Sequence, residues 1–319
     1  MRILLVKTSS LGDVIHNLPV VSDLAQRFPG ATIDWVVEES FADIARLHPA
    51  VGRVIPVAVR RWRKGLFSTQ TWREMREFRR VASADFYDAV LDTQGLLKSA
   101  LIAHQARGTK LGHAATSARE PLAARFYDRG FPVPNELHAV ERNRRLAAAA
   151  FGYEQALPTL PLDYGIHAPA LTAPWLPPGS YAVLLTATSR ADKEWPEPDW
   201  QALGQVLISM GMRCVLPAGS EAERDRAAHI AAALGHAVAA PPLDLTALAG
   251  LMAGAQIVIG VDTGLTHLAA ALDRPTIAIF CGSDPQLTGV FAGARAVNLG
   301  NVGQAPSAAE VASQVISLL

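Results

Sequence analysis

Arg2-Ile3-Leu4-Leu5-Val6 runs straight into Lys7-Thr8-Ser9-Ser10-Leu11-Gly12-Asp13-Val14-Ile15-His16-Asn17. The aliphatic run reads as a buried strand, the small hydroxyls and the glycine break it, and Asp13 opens an apolar-periodic stretch. That order is a strand–loop–helix junction. In an open α/β sheet such a junction lies at the carboxyl end of the strand, where ligands bind. Asp13 then stands at the helix start beside backbone N–H groups that lack intrahelical partners. An isolated Gly-Asp is simply an acid favoured by the helix dipole. A second junction changes its weight.

Gln256-Ile257-Val258-Ile259-Gly260-Val261 has a buried-strand pattern, and Asp262-Thr263-Gly264-Leu265-Thr266-His267 follows it directly. Leu268-Ala269-Ala270-Ala271-Leu272 then makes a small-residue helix able to pack close to a sheet. Thr263 and Gly264 can offer backbone N–H groups to a phosphate or diphosphate. Asp262 would repel a bare phosphate, so it suits the hydroxyls of a nearby sugar. A plain helix cap by Asp262 or Thr263, with His267 a satisfied core or surface residue, fits this segment equally well. Two such junctions, one per half, favour a ligand held between two domains.

At 319 residues the chain is long enough for two domains, each with a full core. Half of it is hydrophobic, 18% is charged and the formal net charge is zero, which disfavours a general polyanion binder. Strand-like and helix-like segments alternate from end to end, as expected of an α/β protein with parallel sheets. Cys214 and Cys281 both fall in strand-like runs and read as small buried hydrophobes in a reducing compartment, with no metal-ligand spacing. No signal peptide is expected, because Arg2 leads directly into a strand. The uncharged stretch Leu245–Val261 is better explained by a helix to about Ala253 and a buried strand than by a membrane span. A soluble, cytoplasmic protein is the expectation. Pro158, Pro161, Pro169, Pro174, Pro177 and Pro178 cannot continue a helix or a central strand, which puts a linker at roughly 155–178 and domains at 1–160 and 161–319.

Charge is balanced globally but not locally. Arg60, Arg61, Arg63, Lys64, Arg73, Arg76, Arg79 and Arg80 face only Glu74 and Glu77, so the segment 60–80 carries +6 in a chain of net zero. The 73–80 part fits a solvated helix face. The tight Arg60-Arg61-Trp62-Arg63-Lys64 cluster suits phosphates, carboxylates or an anionic membrane surface. Nucleic acid is disfavoured by the acidic remainder and the lack of a binding module. Elsewhere, Thr188 and Ser189 follow a strand and could hydrogen-bond a diphosphate, with Lys193 as a compact cation. An ordinary βα loop fits there too. Glu223 follows Gly219 after a strand, where an acid can bind ribose hydroxyls or merely favour a helix start. There is no Gly-rich dinucleotide fingerprint, Walker loop or nucleophile elbow.

The opening 6–13 resembles the lipopolysaccharide heptosyltransferases, members of glycosyltransferase family 9. So do Trp35-Val36-Val37-Glu38-Glu39, the Arg60–Lys64 cluster, Asp92-Thr93-Gln94-Gly95-Leu96 with Lys98-Ser99-Ala100, Ala118-Arg119-Glu120-Pro121-Leu122, His138-Ala139-Val140-Glu141-Arg142 and Asp262–His267. These segments run in order across nearly the whole chain. The basic cluster and the Lys7-Thr8-Ser9-Ser10 opening resemble the enzymes that add the first heptose rather than the second.

The resemblance implies a GT-B fold, two Rossmann-like domains with parallel sheets facing a cleft, the last helix crossing back to the first. It implies an inverting transfer from ADP-L-glycero-β-D-manno-heptose, bound by the C-terminal domain, to the first Kdo of Kdo2-lipid A, at the cytoplasmic face of the inner membrane and without a metal or other cofactor. By similarity Asp13 is the general base and Lys193 stabilises the leaving diphosphate. Thr188, Ser189, Thr263, Gly264 and His267 surround the donor, Asp262 holds the heptose, Glu223 the ribose, and Leu243 lies by the adenine where the family commonly has Met. Ser10, Arg60, Arg61, Arg63, Lys64 and Arg119 face the anionic acceptor. The alternatives are another family 9 transferase, such as one adding the second heptose, and a GT-B-like nucleotide-sugar epimerase, which would not need the basic segment. A non-catalytic nucleotide-binding module would not need Asp13.

Overall fold

The aliphatic runs form twelve parallel strands in two sheets. In the first unit they are β1 (Arg2–Val6), β2 (Thr32–Glu38), β3 (Val51–Val57), β4 (Phe86–Asp92), β5 (Arg107–His113) and β6 (Arg129–Phe131). In the second they are β7 (Tyr181–Leu185), β8 (Arg213–Leu216), β9 (Ala237–Ala239), β10 (Ile257–Val261), β11 (Thr276–Phe280) and β12 (Ala296–Gly300). This computed structural model describes residues 1–319 and divides into the units Met1–Ile166 and His167–Leu319, the boundary falling in the proline-rich stretch.

The sheet orders are β3-β2-β1-β4-β5-β6 and β12-β11-β10-β7-β8-β9. Counted from the first strand of each unit, both are the doubly wound order 3-2-1-4-5-6. Helices cover both faces, so the central strands carry no polar alternation: Ile3, Leu5 and Val6 in β1 and all of Ile257, Val258 and Ile259 in β10 are fully buried. Each order reverses between its first and fourth strands. The loops after β1 and β4, and those after β7 and β10, therefore flank the two topological switch points. The two junctions read from the sequence lie there.

Leu245–Ala253 is a helix and Ile257–Val261 a buried strand, and no helix is long and apolar enough to cross a membrane. Cys214 is buried and Cys281 half-buried, both as free thiols. The last helix, Ala308–Leu318, buries Val311 and Val315 in the core of its own unit, against the Glu197–Ser209 helix and β11.

Candidate active site

The loop that follows β1 is held from the loop that follows β4. Gln94 Oε1 accepts from the Thr8 backbone N–H and from Thr8 Oγ1, both at 2.8 Å, and its Nε2 donates to the Ser9 carbonyl at 3.0 Å. Asp92 beneath it is fully buried, accepting from the Gln94 backbone N–H at 2.8 Å and the Tyr127 hydroxyl at 2.7 Å. This fixes the start of the short Leu11–Ile15 helix, on which Asp13 closes a capping box with Ser10. Asp13 Oδ2 accepts from the Ser10 N–H at 2.9 Å and Oγ at 3.2 Å, while Oδ1 accepts from Arg119 Nη2 at 3.1 Å. Burial works to raise the Asp13 pKa, but the charges of Lys7 and Arg119 and the Ser10 hydrogen bonds outweigh it and hold the carboxyl below its ordinary range. Asp13 is thus an ionised carboxylate still 15% exposed.

Lys7 and Lys98, which lie within the quoted motifs but were not among the expected site residues, also stand at this loop. Lys7 is buried, its Nζ donating to the Thr93 carbonyl at 3.0 Å and Asn143 Oδ1 at 3.3 Å. Burial pushes its pKa down to about 8, with the Asp13 charge acting in the opposite direction. Lys98 Nζ donates to Ser9 Oγ at 2.9 Å. The available signal was Lys7 directly after a buried strand, a costly place for an ammonium unless it is used.

The basic cluster is less uniform than its sequence. The Arg60 guanidinium lies over the Phe41 ring, 5.1 Å from its centroid, and its backbone N–H donates to Glu38 Oε1 at 3.1 Å. Arg61 is clamped between two carboxylates, Glu39 at 2.9 Å and Glu74 at 2.7 Å, so it is already neutralised within the protein. Arg63 and Lys64 are exposed with no acidic partner. Of the expected acceptor residues, then, Arg63 and Lys64 are free, Arg119 is shared with Asp13 and Arg61 is committed.

In the second unit, Asp262 gathers donors from the loop after β7 and the loop after β11, with His267 of the helix that follows it nearby. Lys193 Nζ and Ser283 Oγ both reach its Oδ2 at 2.5 Å, His267 Nε2 stands 4.0 Å from Oδ1, and Thr188 Oγ1 donates to its carbonyl at 3.1 Å. Ser283 was not anticipated. The helix Gly264–Ala271 begins here, and the Thr263 side chain does not cap it. The Thr266 N–H turns back to the Thr263 carbonyl at 3.1 Å, which leaves the Gly264 and Leu265 amides for an anion. Gly260 lets this helix approach the sheet: a Cβ there would sit 2.3 Å from Thr266 Oγ1 and 2.9 Å from Leu185 Cβ.

Beside this helix start lies a cavity of about 240 Å³ walled by Thr188, Ser189, Gly219, Glu223, Leu243 and Thr263. Leu243, with Leu248 and Leu265, makes its apolar side. Glu223 spends Oε2 on the Gly219 and Ser220 N–H groups, both at 2.9 Å, in a capping box, which leaves Oε1 for a ligand. One switch point thus holds a partly open carboxylate among cations, and the other an apolar slot ending in a cationic helix start.

Residues 75–315 match the profile of glycosyltransferase family 9 (heptosyltransferase), and the chain belongs to that family. Among its relatives is lipopolysaccharide heptosyltransferase 1 of Escherichia coli strain K12, 48% identical over 91% of each chain. The structure of the E. coli heptosyltransferase WaaC with ADP superposes with a TM-score of 0.92 at 42% identity, covering 100% of both chains. The same enzyme with ADP-2-deoxy-2-fluoro heptose gives 0.86 at 42% identity, over 99% of this chain and 98% of that one. The two doubly wound units are those of a GT-B glycosyltransferase.

Proposed function

We propose that this chain transfers L-glycero-D-manno-heptose from ADP-heptose to the first Kdo of Kdo2-lipid A, with inversion, at the cytoplasmic face of the inner membrane. The observation that carries this is that each unit brings one feature to its own switch point: an ionised, partly open Asp13 in the first, and the Thr263–Gly264 helix start with its apolar slot in the second. The similarity to an enzyme solved with ADP and with an ADP-heptose analogue supports the donor.

In the proposed reaction the Kdo hydroxyl oxygen bonds to the anomeric carbon as the carbon–phosphate oxygen bond breaks on the opposite side. The hydroxyl proton passes to Asp13, and the bonding pair leaves with ADP. Charge building on the diphosphate meets the open amides of the Gly264–Ala271 helix and the Lys193 ammonium. Lys193 is held ready by Asp262, which Ser283 anchors, so Asp262 serves the cation as well as the sugar hydroxyls. The heptose passes through an oxocarbenium-like state. Adenine stacks in the Leu243 slot, with ribose on the free oxygen of Glu223. Arg119 has a second part to play. An acidic acceptor competes with Asp13 for its guanidinium, and giving up the one bond to Asp13 makes that carboxylate a stronger base.

ADP release from ADP-heptose, measured with and without Kdo2-lipid A, tests the reading. Release only with that acceptor, with one heptose added to it, is the expected result. A rearranged sugar from donor alone would point to an epimerase.

A further inference from the structure

The basic segment carries a second feature that sugar and phosphate recognition leave unused. The loop 65–68 joins the helix Val59–Lys64 to the helix Thr69–Ala82, and it presents Leu66 at 51% and Phe67 at full exposure, with Trp72 beside it at 52%. The indole N–H of Trp72 is satisfied inside the protein, donating to the Leu66 carbonyl at 2.8 Å, so the ring's polar edge does not need water. The tip stands on a packed base, since Thr71, Phe78 and Ala82 seat the long helix on the core. Three large apolar side chains in seven residues are more than the scattered exposure of an ordinary surface.

A collar of free cations surrounds this tip. Arg63 and Lys64 precede it, and Trp72, Arg76 and Arg79 share one helix face at i, i+4 and i+7. All four cations are exposed and have no carboxylate partner, whereas Arg61 and Arg80 are neutralised by Glu39, Glu74 and Glu77. A second copy of the chain would bring the same positive charge against it, which disfavours self-association. An anionic lipid surface answers both chemistries: aromatic and aliphatic groups settle at the boundary of headgroups and acyl chains while Lys and Arg pair with lipid phosphates.

We propose that Leu66, Phe67 and Trp72 insert into an anionic bilayer, with Arg63, Lys64, Arg76 and Arg79 on its phosphates. This deepens the proposed function and rests on it for the membrane concerned, though not for the contact itself. The experiment uses the full chain with vesicles of phosphatidylglycerol and phosphatidylethanolamine, or of phosphatidylcholine alone, and no acceptor. Wild type should sediment with the anionic vesicles only, less so as salt rises. Leu66→Ser with Phe67→Ser should weaken partition at least about tenfold. Arg76→Gln and Arg79→Gln should each weaken it about fivefold. Turnover of a deacylated, water-soluble Kdo acceptor by the Leu66→Ser, Phe67→Ser variant should match wild type, which also shows that it is folded. Wild type that ignores anionic vesicles, or a double variant that binds them equally well, overturns the proposal. So does a concentration-dependent dimer that the double variant abolishes while vesicle binding stays unchanged. Vesicle binding without turnover of the soluble acceptor would instead uphold the docking and sink the proposed reaction.

Discussion

Replacing Asp13 by Asn separates a catalytic carboxylate from a capping one. Asn keeps the size, and its carbonyl can still accept from the Ser10 N–H and hydroxyl that Asp13 bonds at 2.9 and 3.2 Å. Its amide group then faces Arg119 Nη2, donor against donor, where the carboxylate accepted at 3.1 Å. Arg119 is 45% exposed, so losing that pair costs no more than about 1 kcal/mol. Removing a charge that burial penalises offsets part of this. The melting temperature should therefore move by no more than about 2–4 °C. Loss of the proton acceptor should lower kcat by about 10²–10⁴-fold, or about 3–5 kcal/mol of barrier. Donor affinity should hold, because the slot proposed for the nucleotide is walled by Thr188, Glu223, Leu243 and their neighbours in the second unit. ADP release, donor titration by calorimetry and thermal melting on the one variant give all three numbers. Near-normal turnover refutes the assignment of Asp13 as base. A collapse of stability alongside lost turnover would make it a structural residue instead.

The remaining expectations concern its neighbours and the second unit. Since Asp13 is held below the ordinary carboxylate range, the acid limb of kcat/KM should lie on the acid side of an ordinary aspartate's titration; a wild-type limb on the alkaline side of it counts against the assignment. Lys7→Met removes the strongest cationic influence on Asp13 and should shift that limb to higher pH, which a pH–rate profile reads directly. Lys193→Ala should lower kcat and weaken donor binding, and Lys193→Arg should not rescue it, because a planar fork does not reproduce an ammonium held by Asp262 at 2.5 Å; full activity in the Ala variant removes Lys193 from the reaction. Arg63→Gln with Lys64→Gln should raise the acceptor KM in a salt-dependent way at constant melting temperature, whereas Arg61→Gln should also lower stability by releasing Glu39 and Glu74; equal effects from the two would refute the distinction.

Strand and helix signals are local, so the chain's outline was legible. Val6 to Asp13 and Val261 to His267 announced two strand–loop–helix junctions, the prolines from 158 to 178 announced the break, and the ordered motifs announced the family. That both junctions fall at switch points of the same doubly wound order was not readable, because strand order depends on which strands pair across the fold. The state of each charged group was equally hidden. Arg61 looked like Arg63 in the sequence, yet it is neutralised by Glu39 and Glu74, 22 and 13 residues away. Lys193 meets Asp262 across 69 residues, Ser283 joins them from 21 further on, and Lys7 meets Asn143 across 136. Short-range propensity determined the elements and the residue types at their ends. Only the tertiary structure decided which charges are free, because Coulomb attraction and hydrogen bonding act over a few ångströms of space, whatever the distance along the chain.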